Sequence, residues 1–424
     1  MMPGKKKHSF IYFVDLNLRI IIICFLASFS TAVSAQEDVI PRDSVPPYVK
    51  DFSDVIKKML HKKVDSALRK AEKLALLPSL GYNPSFGFVI GAKASAVKLY
   101  GNKENTSLSS IGLEALFTSK GIITLQVRHN IFTSGNKYYL QGNWQLSKFL
   151  ITDYSIGTGN KKYLNNTDSA FLIRFNYIRL TEKVYRKIGR ALYAGAGLSI
   201  NYRYDIDDEK LDTLGSTPHY RYSVRNGFDA TRYSVNALLV AISYNTRDHP
   251  LRSYRGTYAD FNLAFAQEWM GSTKPSIQLI YDMRKYLSLS KKNPEHVLAF
   301  WHLASYKLSG TVPYLALPAT GYDIYNRSGR GYTIGRFKGP SYVYFESEYR
   351  FPITHNKLVS GVAFANVQTA SDDLGKKLFQ YWDPAAGGGL RILFQKHSRS
   401  TVCIDYARGK YGSSAFFFGL NEVF

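Results

Sequence analysis

Cysteine is nearly missing from this chain: its 424 residues include only Cys24 and Cys403. A disulfide framework and a thiolate metal centre are therefore excluded as organising features. Long apolar runs are missing too. Residues 20–27 (IIIICFLA) are too short to span a bilayer comfortably and no longer apolar run follows, so no transmembrane helix is expected. Catalytic signatures are also lacking. There is no Gly-x-Ser-x-Gly elbow and no His-Glu-x-x-His helix, and the nine histidines include no pair at metal-ligand spacing. No enzyme chemistry, cofactor or metal is nominated by these residues. Acidic residues are scarce: 32 Asp and Glu stand against 55 Lys and Arg, a net charge of +23.

The N-terminus accounts for little of that charge. Residues 1–35 carry +3 and residues 36–85 carry +2, which leaves +18 in residues 86–424. The first 35 residues have the form of a secretory signal peptide. Lys5, Lys6 and Lys7 precede the short apolar run, and Val33-Ser34-Ala35 offers small residues for cleavage before Gln36. Cleavage would leave Cys403 as the one thiol. An exported protein without helical spans is either soluble outside the cytoplasm or a β-barrel. Export makes nucleic acid an unsuitable partner for the basic excess, whereas anionic lipid head groups or acidic segments of client chains suit it.

Between the signal and residue 86 lies a predicted linker, residues 36–85. Within it, residues 47–76 read as one amphipathic helix. Phe52, Val55, Ile56, Met59, Leu60, Val64, Leu68 and Ala71 recur at three- and four-residue spacing, with Lys57, Lys58, Lys62, Lys63, Arg69 and Lys70 around them. Pro78, Gly81 and Pro84 then break the pattern. This helix is expected to pack on the main domain rather than lie on a membrane surface.

From residue 86 the period becomes two. In ITLQVRHNI (123–131), Ile123, Leu125 and Val127 alternate with Thr124, Gln126 and Arg128. In YVYFESEYRF (342–351), Val343, Phe345, Tyr349 and Phe351 alternate with Tyr344, Glu346, Glu348 and Arg350. Three charged residues on one strand face need water or partners. A membrane barrel provides both, with apolar residues toward lipid and polar residues toward the lumen. Sixteen candidate strands fall near 86–98, 107–117, 120–131, 137–147, 151–158, 170–180, 190–203, 233–245, 256–267, 275–287, 295–309, 340–351, 357–366, 387–395, 400–407 and 414–423. Long connections (204–232, 310–339, 367–386) follow odd-numbered strands. Short ones (near 119, 352–356, 395–400) follow even-numbered strands. Short periplasmic turns alternating with long outer loops mark an outer-membrane barrel, a sorting that a soluble sandwich has no reason to show. The expected fold is all-β, a sixteen-stranded antiparallel transmembrane β-barrel over 86–424 with a short N-terminal amphipathic helix.

The loop sequence YNRSGRGYTIGRFKG (325–339) is rich in glycine and basic residues. GRGYTIG (329–335) misses the dinucleotide fingerprint, because its last glycine comes one residue late and it opens no βαβ unit. Instead, Arg330-Gly331-Tyr332, between the eleventh and twelfth predicted strands, resembles the Arg-Gly-aromatic signature of the BamA/TamA-type bacterial surface-antigen superfamily. NTRDHPLRSYRGTY (245–258) is similar to that family's stretch from a periplasmic turn into the ninth strand. FESEYRFPI (345–353) resembles its twelfth strand, and LPSLGYNPSFGFVIGA (77–92) the approach to its first strand. Phe424 stands where the family has a terminal aromatic as its assembly signal. The resemblance spans about residues 77–424.

The resemblance implies a loop folded back into the lumen. Charge then suggests its anchor. A guanidinium in a partly dry lumen needs carboxylates, and Glu346 and Glu348 project inward by strand parity. Arg330 is expected to pair with Glu348, or failing that with Glu346, as a structural latch and not a site of chemistry. Gly329 and Gly331 would let the backbone approach the wall, and Tyr332 would pack against it. The family has an aspartate on the next strand where this chain has Asn366, which carries no charge and cannot supply a second ion pair. Asn421 stands where glycine is common, and Glu422 is polar within the assembly signal. Residues 36–85 are too short for even one of the family's periplasmic chain-binding modules.

The family implies an outer-membrane barrel of a Gram-negative-type bacterium. Its role would be to assist insertion or translocation of proteins or lipids, through a weak seam between first and last strands. Outer-membrane lipids, client outer-membrane proteins and accessory assembly proteins are the implied partners. Two other readings stand beside it. One is a plugged pore or structural barrel whose outer loops bind a partner, for which the acidic run Asp205, Asp207, Asp208, Glu209 and Asp212 is a feature. The other is a barrel enzyme with a scattered catalytic set, for which no residues are nominated.

Overall fold

The computed structural model describes residues 48–52, 54–55, 74–83, 87–102, 104–159, 171–372, 374–375, 377–396 and 399–424. The expected signal peptide and most of the expected helix 47–76 lie outside these residues. Of that helix, Phe52, Asp54 and Val55 are helical.

The described chain forms one antiparallel sheet. Its strands are β1 (Leu74–Asn83), β2 (Gly87–Lys98), β3 (Ser109–Thr118), β4 (Ile123–Phe132), β5 (Tyr138–Asp153), β6 (Phe171–Lys187), β7 (Leu192–Asp208) and β8 (Tyr233–Asn245), followed by β9 (Gly256–Ala266), β10 (Ser276–Ser288), β11 (Val297–Gly310), β12 (Tyr342–Pro352), β13 (Val359–Ala370), β14 (Asp383–Gln395), β15 (Ser400–Gly409) and β16 (Ser414–Leu420). Each strand pairs with its sequence neighbours, in the order β1 to β16. β1 and β16 lie alongside one another, but no ladder joins them among the described residues.

The count of sixteen matches the sequence expectation through two errors that cancel. The candidate strand at 151–158 is not separate. Residues 148–150, left between two candidate strands, stay in the ladder opposite Asn176, Phe175 and Arg174, so β5 runs unbroken to Asp153. The strand that was missed is β1. Residues 74–76 were assigned to the helix and 77–84 to its break, yet Leu74–Asn83 pairs with β2 over its whole length. Pro78 is tolerated because β1 is the first strand of the sheet, where one side of the strand is free of ladder bonds. The shift changes the parity of the connections before β5: residues 119–122, read as an even-to-odd turn, connect β3 to β4, an odd-to-even junction. From β5 onward the long connections named above still follow odd-numbered strands, whereas residues 410–413 make a short odd-to-even turn between β15 and β16.

Alternation along the strands produces an inverted core. On β4 and β5 the apolar Leu125 and Leu146 face outward and are about half exposed, at 51% and 52%. Their neighbours Thr124, Gln126, Gln145 and Ser147 are buried. The buried polar groups satisfy one another: Thr124 Oγ1 lies 2.9 Å from Ser147 Oγ, and Gln126 Nε2 donates to Asn143 Oδ1 at 2.7 Å. β12 repeats the pattern, with Phe345 and Tyr349 outward and Tyr344, Glu346, Glu348 and Arg350 buried. Such a molecule is stable only where its outer face meets hydrocarbon and its interior is polar and paired.

Three segments enter the lumen. At the end with the long loops, α1 (Leu211–Leu214) and α2 (Pro218–Arg225) fold over residues 312–317 and bury Tyr222, Tyr233, Tyr314 and Leu315 together. Residues 311–341 descend into the middle. At the end with the short turns, residues 246–255 and the segment after β16 fold inward. The N-terminal segment docks at that same end: Lys50 N donates to Asn356 O at 2.9 Å, and Asp54 pairs with Lys396 at 2.8 Å.

Candidate functional site

The loop between β11 and β12 is shaped by its own residues before it meets the wall. Asp323 Oδ1 accepts from the backbone N–H groups of Arg327 and Ser328 at 2.9 and 2.7 Å, and its Oδ2 accepts from Tyr325 N at 3.1 Å. This carboxylate folds residues 323–328 into a compact turn. Gly331 then adopts φ +100°, and a Cβ there would sit 2.7 Å from Ala385 Cβ on β14. Both facts require glycine at the point where the backbone meets the wall.

Arg330 projects from this turn into a cage of carboxylates. Its Nη1 donates to Asp405 Oδ2 on β15 at 2.8 Å, and its Nη2 reaches Glu348 Oε2 at 2.5 Å and Glu346 Oε1, both on β12. The guanidinium lies over the Phe364 ring, 3.4 Å from its centroid. Burial favours loss of the Arg330 proton, but Glu346, Glu348 and Asp405 outweigh it and hold the group well above its ordinary pKa. Asn366 makes no ion pair; its Nδ2 donates to the Arg330 backbone carbonyl at 2.9 Å. The Tyr332 hydroxyl donates to Pro384 O at 2.6 Å and accepts from Lys410 N at 2.9 Å. Burial pushes that phenol up to about 12.

The cage continues toward the short-turn end. Arg350 Nε binds Glu348 Oε1 at 2.7 Å. Arg391 on β14 binds Asp405 Oδ1 at 2.5 Å and Glu422 Oε2 at 2.7 Å, and Arg252 Nε lies 3.1 Å from Glu422 Oε1. Arg252, Arg330, Arg350 and Arg391 thus balance Glu346, Glu348, Asp405 and Glu422, all of them buried. Mutual pairing offsets the cost of burying these charges. Phe424 also lies inside, its ring 5.3 Å from Trp301, while its carbonyl accepts from Arg350 Nη2 at 2.8 Å.

Sequence reasoning left out Asp323, Arg391 and Asp405. Arg391 and Asp405 each stand as a single charge between outward apolar residues (Leu390 and Ile392; Ile404 and Tyr406). The parity rule that placed Glu348 inward places them there as well. Asp323 acts through backbone turns and leaves no periodic signal. Among the described residues no group of three His, Cys, Asp or Glu side chains could hold a metal ion.

An antiparallel barrel with an apolar outer face, a polar ion-paired lumen and a long loop folded back inside it is an outer-membrane β-barrel. A profile of the Omp85 superfamily domain matches residues 101–393, and the chain belongs to that superfamily. Among solved structures it is similar to BamA from Haemophilus ducreyi lacking POTRA domains 1-3. The TM-score is 0.56 and the identity 14%, over 82% of this chain and 70% of the other. It is also similar to CdiB from Escherichia coli, with a TM-score of 0.52 and 8% identity, over 82% of this chain and 62% of the other. Comparison with curated protein sequences gives no match.

Proposed function

We propose that this Omp85 barrel assists the insertion or translocation of proteins or lipids at the outer membrane. The observation that carries the reading is the seam: β1 and β16 lie alongside one another with no ladder between them among the described residues, whereas every other neighbouring pair is hydrogen-bonded. An open pair of sheet edges offers unpaired backbone donors and acceptors, which an incoming extended segment can use. Phe418 on β16 faces outward, so lipid meets the last edge of the sheet directly. Outer-membrane lipids are the immediate partners, and client outer-membrane proteins or accessory assembly proteins are the macromolecular ones. Residues 1–35 serve as the export signal in this reading.

The test is insertion of a urea-unfolded barrel protein into liposomes. Vesicles carrying this protein should fold the client faster than protein-free vesicles of the same lipid. Equal rates would overturn the proposal. A second reading, a plugged structural barrel whose outer loops bind a partner, draws on the packed outer cap of α1, α2 and residues 312–317.

A further inference from the structure

The outer face of β4, β5 and β6 carries a polar cluster that the client reading does not use. The outward positions around it are apolar and well exposed: Leu125 on β4, Leu146 on β5, and Leu180 and Val184 on β6. Between Leu180 and Val184, at the outward position of β6 that separates them, stands Glu182, with 37% of its side chain exposed. A carboxylate aimed at hydrocarbon is costly, and ionisable groups kept at such positions pair with something and mark function.

The wall satisfies half of this carboxylate. Glu182 Oε2 accepts from Trp144 Nε1 on β5 at 3.0 Å and lies 3.1 Å from His129 Nε2 on β4. Gly142, directly opposite Glu182 on β5, makes room for them: a Cβ there would sit 2.1 Å from His129 Nε2 and 2.5 Å from Glu182 Oε2. The other half is open. Among the described residues Glu182 Oε1 has no hydrogen-bond partner, and no lysine or arginine pairs with the carboxylate. His129 is buried, with 8% of its side chain exposed, and its Nδ1 has no partner either.

Depth and shape select the occupant. Four residues along β6 separate Glu182 from Arg186, the exposed cation near the short-turn end, which is about 13 Å of strand. Val184 on β6 and Leu140 and Tyr138 on β5 fill the outward face over that span. A lipid ammonium would have to leave the head-group level to reach the carboxylate, whereas a side chain on a membrane-embedded chain can be set at that depth. Small residues lie beside Glu182: Gly142 on β5, and Ala194 and Ala196 on the outward face of β7, where a second backbone can approach closely. We propose that Glu182, His129, Gly142 and Trp144 form a docking niche for a membrane-embedded partner chain that presents one cationic side chain at this depth. The cation takes Glu182 Oε1, and the paired carboxylate no longer faces hydrocarbon uncompensated.

The probe is a synthetic membrane-spanning peptide of leucine and alanine with one lysine in its apolar stretch, compared with a twin carrying leucine instead of that lysine. The full-length protein is reconstituted in phosphatidylcholine vesicles, which contain no primary amine. Association is read as energy transfer from the protein's tryptophans to a dansyl group on the peptide. The lysine peptide should bind about tenfold more tightly than its twin, the gain expected for a hydrogen bond between charged groups. Glu182→Gln should abolish that difference. Dicyclohexylcarbodiimide, which condenses a carboxylate with an amine to an amide and leaves as its urea, should join the lysine to Glu182, as located by mass spectrometry. The two peptides are compared on the unmodified protein, so the test stands even if Glu182→Gln does not fold. Equal binding of the two peptides, or a difference that survives Glu182→Gln, would overturn the niche. In vesicles containing phosphatidylethanolamine, linkage of Glu182 to the lipid amine in place of the peptide would assign the site to a head group and overturn the partner chain. No client is present, so failure here leaves the insertion reading untouched.

Discussion

Arg330 carries the largest local consequence of a single side chain. Among the described residues it is the one cation that meets Glu346, Glu348 and Asp405 together, and all three carboxylates are buried. Removing it leaves Arg252, Arg350 and Arg391 to serve four carboxylates, and Glu346 then retains only the Tyr344 hydroxyl among these contacts. Breaking a buried pair from one side costs about 3–5 kcal/mol, more than the pair contributes over an apolar substitute. Arg330→Ala should therefore lower the temperature at which the folded band disappears in a heat-modifiability gel. Arg330→Lys should recover only part of that loss, because an ammonium cannot present the planar fork that spans β12 and β15. An unchanged transition in Arg330→Ala would remove the latch as a structural element.

At the scale of elements, the loop 311–341 and β1 show where sequence signals reach and where they stop. The loop's close backbone approach to β14 depends on Gly331, since both its φ of +100° and the approach of Ala385 exclude a side chain. Gly331→Ala should cost about 1–3 kcal/mol in backbone strain, with a steric term added, and should expose the loop to protease while the strands remain folded. Limited proteolysis followed by gel analysis checks this; a loop as resistant as in the parent protein would argue against the docking. The inward face of β12 was legible, because Glu346, Glu348 and Arg350 sit at every second position among aromatic residues. β1 was not legible. Pro78 and Gly81 are breaker residues in an isolated reading, and the preceding helical periodicity runs into Leu74 without a break. What makes β1 a strand is its pairing with β2, a tertiary fact that local propensity does not encode. The join at residues 148–150 was not legible for a related reason: Lys148-Phe149-Leu150 carries no turn residue, and only the pairing with β6 shows that the strand runs on through it. Asn366 carries no charge, and the third carboxylate at Arg330, Asp405, comes from a strand 75 residues away from Arg330 in sequence.

For the whole molecule, the distribution of contacts along the lumen makes a prediction about transport. The outer cap buries Tyr222, Tyr233, Tyr314, Leu315 and Leu317 in one apolar cluster, anchored where Lys338 meets Asp153 at 2.5 Å. Below it, Arg330 crosses from its loop to β12 and β15. Below that, the segment 421–424 and residues 252–253 meet Arg350 and Arg391. An ion moving through the lumen would have to displace three layers held by different forces: apolar burial, a caged guanidinium and a second ion network. Because the four arginines and four carboxylates of the two lower layers cancel, those layers together offer no net field to concentrate either sign of ion. The resting protein should therefore be nearly closed in planar bilayers. Conductance should rise when the middle layer is loosened by Arg330→Ala, yet stay below that of an open barrel because the cap remains. A large steady conductance in the unmodified protein would show that the layers do not seal the lumen, and it would favour a pore over an assembly barrel whose traffic passes at the seam between β1 and β16.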